Sequence, residues 1–112
     1  MTRRWFLVTV AGASMQPTLH PGDVLVVRRS ATVRAGDVVV ASFLARPGRL
    51  VVKRAMRQLA DGNWELAGDN AAASQGSESF GPVPPQDVLG RAVWRWWPVR
   101  AAGPVRRRPP QV

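Results

Sequence analysis

The chain has 112 residues, of which 46% are hydrophobic and 21% charged. This length and composition favour one globular domain over two separate cores or a disordered chain. Cysteine is absent and histidine occurs once, which excludes disulfides, thiol nucleophiles and thiolate metal ligands. We therefore expect neither a metal centre nor a cofactor.

The formal net charge of +9 is typical of proteins with an anionic partner such as nucleic acid or a membrane surface. Six arginines, however, cluster near the two ends of the chain. They are Arg3, Arg4, Arg100, Arg106, Arg107 and Arg108. This distribution favours a solvated basic surface over a specific nucleic-acid site.

β-Strands dominate the predicted elements, because runs of valine and aromatic residues alternate with turn residues. The first strand ends at Ala11-Gly12, and two Gly-Asp turns each precede a valine run that we expect to be buried in one sheet. An Asp61-Gly62 turn predicts a hairpin. The expected strands are Trp5–Val10, Val24–Val27, Val38–Ala41, Leu50–Met56, Trp64–Ala67 and Arg91–Trp97.

The remaining segments are expected to be loops, since no stretch of a dozen residues has a helical period. The sequence predicts a small, mainly antiparallel β domain with long loops, covering residues 1–98. Residues 99–112 are rich in Pro, Gly and Arg and are expected to form a disordered basic tail.

The apolar run Trp5–Ala13 is too short to cross a bilayer, which takes about 20 residues. It also lacks the pattern of a secretory signal. We therefore expect a soluble protein with at most peripheral membrane contact.

A serine nucleophile needs a neighbouring base, and two side chains are candidates. His20 lies between prolines only six residues from Ser14, a context that favours a surface loop residue. Lys53 is the only lysine beside fifteen arginines. It follows three apolar residues, and burial there can lower a lysine pKa far enough to make the amine a base. The same sequence context is also compatible with an exposed lysine on an edge strand.

The segment around Ser14 has the composition of a nucleophile loop. Gly12 and Ala13 allow close approach of a substrate backbone, and N–H groups near Ser14 can face a developing oxyanion. Met15 fits either an apolar contact for the substrate or a core position.

Four segments in order resemble the conserved boxes of the type I signal peptidase family, with a likeness that covers about residues 8–98. They are Gly12-Ala-Ser-Met-Gln-Pro-Thr-Leu-His-Pro-Gly-Asp23, Gly36-Asp-Val-Val39, Val52-Lys-Arg54 and Gly68-Asp-Asn-Ala-Ala-Ala-Ser-Gln-Gly-Ser77. The resemblance implies the small β fold of signal peptidase and LexA-like catalytic cores. It also implies a serine endopeptidase with a Ser-Lys dyad.

Carried over to this sequence, the family roles make Ser14 the nucleophile and Lys53 the base. Ser74 corresponds to the residue that orients the lysine amine, and Gly68 to the glycine packed beside it. Asp69, Asn70 and Ser77 belong to the structural part of the same box. Gly76 and Glu78 stand where the family has an ion-paired Asp and Arg, and we hypothesise that Glu78 pairs with Arg54 instead.

Within this family the short chain, the expected lack of an anchor and the strand Val93–Pro98 look most like proteases that mature nickel-type superoxide dismutase. The resemblance implies the N-terminus of a proprotein as the partner, that of the dismutase precursor, and a cytoplasmic location. Alternatives are a signal peptidase that cleaves exported preproteins and a LexA-like self-cleaving protease.

A nucleic-acid-binding β module is an alternative of a different class. In it Trp94 and Trp96, which alternation places on one strand face without Trp97, would stack on bases. We favour the expectation that these tryptophans form core and groove walls, and we expect no nucleic-acid partner.

Overall fold

Seven strands form one antiparallel sheet in a computed structural model of the protein that describes residues 4–29, 32–43, 46–70 and 81–108. The strands are β1 (Trp5–Thr9), β2 (Val24–Arg29), β3 (Val38–Phe43), β4 (Arg46–Gln58), β5 (Trp64–Ala67), β6 (Val88–Trp97) and β7 (Gly103–Pro104). The helical elements of these ranges are short 3₁₀ turns at Pro85–Asp87 and Val99–Ala101. The predicted β fold is confirmed.

The strand order is β1-β2-β6-β3-β4-β5, with β7 paired to β6. The two strands that follow Gly-Asp turns, β2 and β3, therefore share a sheet but do not touch as neighbours, because β6 lies between them. Strand β4 is longer than its apolar run predicts. Its first part pairs with β3, and its last part, from Arg54 onward, pairs with β5.

Strand β3 is buried on both faces and connects two apolar clusters. Val38 and Val40 belong to a cluster built from β2, β6 and the loop after β1. Val39 and Ala41 belong to a second cluster with residues of β4 and β5, including Trp64. Burial on both faces explains why this strand is a continuous apolar run rather than an alternating one.

The two Gly-Asp turns are built alike. The Asp23 carboxylate accepts a hydrogen bond from the His20 backbone N–H at 2.9 Å, and the Asp37 carboxylate accepts one from the Arg34 N–H at 2.8 Å. Each aspartate thus closes its own turn before its strand begins. His20 itself is exposed, as its sequence context predicts.

The tryptophans of β6 differ from the expectation, because they form neither core nor groove wall. Trp94, Trp96 and Trp97 are 44%, 57% and 56% exposed. Two irregularities in the β2–β6 register skip one residue each, so Val26 faces Trp94 and Val24 faces Trp97. These bulges reset the alternation and place Trp94 and Trp97 on the same outer face.

The segment after Pro98 also differs from the disordered tail that its composition predicts. Residues 99–108 form a 3₁₀ turn, strand β7 and an extended strap that contacts the sheet. The Val105 N–H donates to the Val93 carbonyl oxygen at 3.0 Å, and the Arg108 N–H donates to the Gly36 carbonyl oxygen at 3.0 Å. The composition did not predict this order because two of the arginines, Arg107 and Arg108, are bonded to buried carboxylates distant in sequence.

Candidate active site

A groove of about 500 Å³ lies between the β1 side of the sheet and the first part of β4. Its wall includes residues 7–14 on one side and residues 49–53 on the other, with Val40 between them. Within the described ranges, β1 pairs only with β2, and β4 up to Lys53 pairs only with β3. Two strand edges with free backbone groups therefore face the groove.

Ser14 and Lys53, which are 39 positions apart in sequence, line this same groove. The fold brings them together because the loop after β1 and the middle of β4 close one end of it. The roles of these two residues as nucleophile and base are the central prediction about the site.

The Lys53 side chain is buried, with only 6% of the residue exposed. Its ammonium makes no ion pair or hydrogen bond with another described residue. Burial without a counter-charge disfavours the charged form, and this desolvation lowers the pKa of Lys53 below its ordinary value. A lowered pKa increases the fraction of Lys53 that is neutral and able to accept a proton.

Ser14 lies half-buried in a turn that starts immediately after Gly12. Its backbone N–H donates to no acceptor in the described part of the chain, which leaves it available to an oxyanion. Gly12 has φ of +75° and faces open space, so the backbone turns there without a side chain over the groove. Ala13 lines the groove beside it.

The structure excludes one of the two roles predicted for Met15, an apolar contact with the substrate. Its side chain is 1% exposed and packs in the apolar cluster with Leu19 and Leu25, so it cannot contact a substrate. Within this turn the Met15 side chain points into the core, whereas Ser14 lines the groove. The role of core filler, one of the two that its chemistry allowed, is the observed one.

An ion pair joins Arg54, which follows Lys53 in β4, to Asp69 in the loop after β5. The Arg54 Nη2 donates to Asp69 Oδ2 at 2.6 Å and its Nε donates to Oδ1 at 3.1 Å, with both side chains almost fully buried. Thr18 Oγ1 donates to the same Oδ2 at 2.6 Å. This bidentate arrangement links β4, the loop after β5 and the nucleophile loop.

Two opposing effects set the pKa of the Asp69 carboxyl. Burial raises it, but hydrogen bonds from Arg54 and Thr18 and the charges of Arg54 and Arg108 outweigh that effect, and the net pKa is lowered. Asp69 therefore remains a carboxylate at neutral pH and keeps its partners.

Asn70 fastens the nucleophile loop. Its backbone N–H donates to the Ser14 carbonyl oxygen at 2.9 Å, and its side-chain Nδ2 donates to the Ala13 carbonyl oxygen at 3.1 Å. Two of the three predicted structural residues of this box thus have contacts with the site, Asp69 through Arg54 and Asn70 through the loop.

Gly68 follows β5 directly. The register of β4 and β5 begins with the pairing of Arg54 with Ala67, so Gly68 is the next residue beyond the paired ones, and its packing beside the Lys53 amine stays a prediction. Ser74, Ser77, Gly76 and Glu78 lie outside the described residues. The hypothesis of a Glu78–Arg54 pair concerns an arginine whose observed partner is Asp69.

Sequence reasoning missed Thr18 and the two arginines that complete this cluster. Arg107 Nε donates to Asp37 Oδ1 at 2.6 Å, and Arg108 Nη2 donates to Asp69 Oδ2 at 3.2 Å. The basic charge of the C-terminal segment was visible, but its carboxylate partners lie about 40 to 70 positions away. No group of three or more potential metal ligands comes together in the described ranges.

Comparison with known proteins identifies the family of the chain. Residues 2–80 match the description Peptidase S24-like. The chain belongs to the Peptidase S24-like family. Membership identifies it as a peptidase whose substrate is a polypeptide.

Curated relatives of this Peptidase S24-like protein are similar over nearly the whole chain. Mitochondrial inner membrane protease subunit 1 of Xenopus tropicalis is 30% identical over 92% of this chain and 75% of the relative. Mitochondrial ATP-independent inner membrane protease subunit 1a of Arabidopsis thaliana is 32% identical over 95% and 80%. Mitochondrial inner membrane protease subunit 2 of Danio rerio is 29% identical over 97% and 76%.

These signal-peptidase-like relatives agree with the resemblance drawn from the four boxes. The part of the chain that the structure describes has no helix of the length and apolar character required to span a bilayer.

Proposed function

We propose that the protein is a serine endopeptidase in which Ser14 is the nucleophile and Lys53 the general base. One observation carries this proposal: a buried lysine that has no counter-charge among the described residues shares a groove with a loop serine. A lysine with a lowered pKa can remove the hydroxyl proton, which an ordinary exposed lysine cannot do at neutral pH.

In the proposed reaction the Ser14 hydroxyl oxygen attacks the scissile carbonyl carbon while Lys53 accepts its proton. The oxyanion faces the Ser14 backbone N–H. Collapse breaks the C–N bond, and the lysine returns the proton to the leaving amine. A water molecule, deprotonated by the neutral lysine, then attacks the acyl ester, and the lysine returns that proton to the Ser14 oxygen as the ester C–O bond breaks.

The substrate is proposed to bind as an extended strand between the free edges of β1 and β4. An inserted strand can satisfy backbone donors and acceptors on both sides, and the small or apolar groove residues, such as Val10 and Val52, leave room for small side chains. Binding through the backbone suits a protease that cuts a flexible N-terminal segment.

As the substrate we propose an N-terminal propeptide or signal segment, most specifically that of a nickel-type superoxide dismutase precursor. Support for the dismutase comes from the sequence likeness in the strand Val93–Pro98, and support for a presequence comes from the inner membrane protease relatives. Two alternatives compete with this substrate: a preprotein with a secretory signal, and the chain itself, as in LexA-like self-cleavage.

We expect the purified protein to cut a dismutase precursor between propeptide and mature N-terminus. The test is incubation with that precursor and, in parallel, with a signal-peptide substrate, followed by mass spectrometry of the new N-terminus. Cleavage of the signal peptide alone would move the assignment to preprotein processing. Cleavage of neither would contradict both.

We also propose a cytoplasmic protein that contacts membranes peripherally. The cytoplasmic location follows from the resemblance to maturation proteases. Support for membrane contact comes from the outer face, where Leu7 of β1 and Trp94 of β6 both flank Val26 of β2. Tryptophan suits the boundary between lipid and water, and exposed arginines such as Arg28 favour anionic headgroups.

We expect sedimentation with phosphatidylglycerol-containing vesicles and much weaker sedimentation with phosphatidylcholine vesicles. The double substitution Trp94→Ser and Trp97→Ser should reduce binding several-fold. Met56→Ser, which changes an equally exposed apolar residue of β4, is the matched control. Equal binding by both variants would show that the tryptophan face is not the contact.

A further inference from the structure

The C-terminal strap, residues 103–108, lies against the back of the candidate active site without lining its groove. It is anchored along its length: β7 pairs with β6, and the Arg108 N–H bonds to Gly36. Gly36 has φ of +95°, and a Cβ there would collide with the Arg108 carbonyl oxygen. The strap therefore rests directly on the backbone of a Gly-Asp turn.

Two half-exposed arginines of the strap compensate two buried carboxylates. Arg107 bonds to Asp37 at 2.6 Å and Arg108 to Asp69 at 3.2 Å, while the side chains of these aspartates are only 3% and 2% exposed. A buried carboxylate that loses a cationic partner becomes costly. The strap thus contributes to keeping both carboxylates charged and in place.

The strap also completes the hydrogen bonds of Arg54. This buried guanidinium directs Nε and Nη2 at Asp69, and its Nη1 donates to the Gly36 and Arg106 carbonyl oxygens at 2.9 and 3.1 Å. The Arg106 carbonyl is the contribution of the strap. Without the strap, water would reach the Arg54–Asp69 pair and weaken its geometry.

The residue next to Asp69 carries this geometry to the nucleophile. Asn70 holds the carbonyl oxygens of Ala13 and Ser14, so a displacement of Asp69 moves the anchor of the loop. A shift of about 1 Å in a reacting group can cost about a hundredfold in rate. The chain of contacts runs from Arg108 to Asp69, then through Asn70 to Ser14.

We propose that Arg107 and Arg108 are positioning residues for the Ser14 loop: Arg108 contacts the Arg54–Asp69 pair directly, and Arg107 holds the strap in place through Asp37. This inference rests on the proposed serine protease function for its kinetic consequence, but the contact chain has a readout that does not require activity. Neither arginine touches the groove, so substrate binding and turnover should respond differently to their removal.

The test uses the full chain with the double substitution Arg107→Ala and Arg108→Ala. Because each pair joins a half-exposed arginine to a buried carboxylate, we expect kcat for a peptide substrate to fall about tenfold with KM changed less than twofold. The double lysine variant, Arg107→Lys and Arg108→Lys, should recover most of kcat because it restores the charge. Arg106→Ala is the matched control, since only the backbone carbonyl of Arg106 is bonded within the described residues.

Hydrogen–deuterium exchange separates failure of this inference from failure of the proposed function. In the double alanine variant the Asn70 amide should exchange faster, while the amides of β2 and β6 remain protected. Unchanged Asn70 exchange together with unchanged kcat would overturn the positioning role. An inactive wild-type protein whose double variant still shows faster Asn70 exchange would contradict the protease mechanism and leave the contact chain standing.

Discussion

Ser14→Ala is expected to reduce peptide cleavage by about 10⁴-fold or more, because removal of a nucleophile eliminates the covalent pathway. The fold should be unaffected, since Ser14 lies half-buried in a turn and its hydroxyl has no bonded partner in the described residues. The measurements are kcat/KM for the precursor that the wild-type protein cleaves and the urea midpoint of unfolding.

A matched control for this experiment is Thr9→Ala, which removes a hydroxyl from the same groove wall outside the proposed chemistry. It should retain activity within a fewfold. Accumulation of an acyl-enzyme in the wild type, seen as a mass increase on the Ser14 peptide, would support the covalent route directly. Substantial cleavage by Ser14→Ala would exclude Ser14 as the nucleophile.

Lys53→Met is expected to lower kcat by about 10²- to 10⁴-fold, the usual contribution of a general base. Lys53→Arg should be equally inactive, although it keeps the positive charge, because a guanidinium does not release its proton in this pH range. This pair of variants distinguishes a base from a cation that merely binds the substrate. An active Lys53→Arg protein would contradict the assignment.

The wild-type rate should rise with pH as Lys53 loses its proton. Because desolvation lowers the pKa of Lys53, the rise should be centred below the ordinary pKa of a lysine. A rate profile for kcat/KM, measured from acid to alkaline pH, reports this pKa in the free enzyme. A profile that is flat across this range would show that no such group limits the reaction.

The same pKa shift affects stability, and its sign follows from proton linkage. Between the lowered folded pKa and the ordinary unfolded pKa, the unfolded chain binds one more proton at Lys53 than the native protein. The free energy of unfolding should therefore increase with pH in that interval. Lys53→Met should lack this component, which urea unfolding at a series of pH values would detect.

The strands could be predicted from the sequence because each valine run carries its own signal. The Gly-Asp turns also have a local cause, since each aspartate bonds to the backbone three residues before it. The order of the strands has no such local cause. That β6 separates β2 from β3 depends on which faces can be buried together, and this is a property of the whole sheet.

The tryptophans of β6 show the limit of counting by two. Alternation groups Trp94 with Trp96, but two bulges opposite β2 place Trp94 with Trp97 instead. The bulges depend on how β6 pairs with β2. The residues of Val93–Pro98 alone therefore do not predict them. The strap differs for a related reason, because its arginines are ordered by Asp37 and Asp69.

Sequence alone determined the candidate chemistry of this protein: Ser14 in a glycine-containing loop, and one lysine in an apolar run among arginines. These signals are local, because the types and spacing of a few residues carry them. Only the tertiary structure decided that the two side chains line one groove, that Lys53 is buried with no counter-charge among the described residues, and that Met15 faces the core. Burial and proximity depend on residues distant in sequence, which is why the fold was needed to place them.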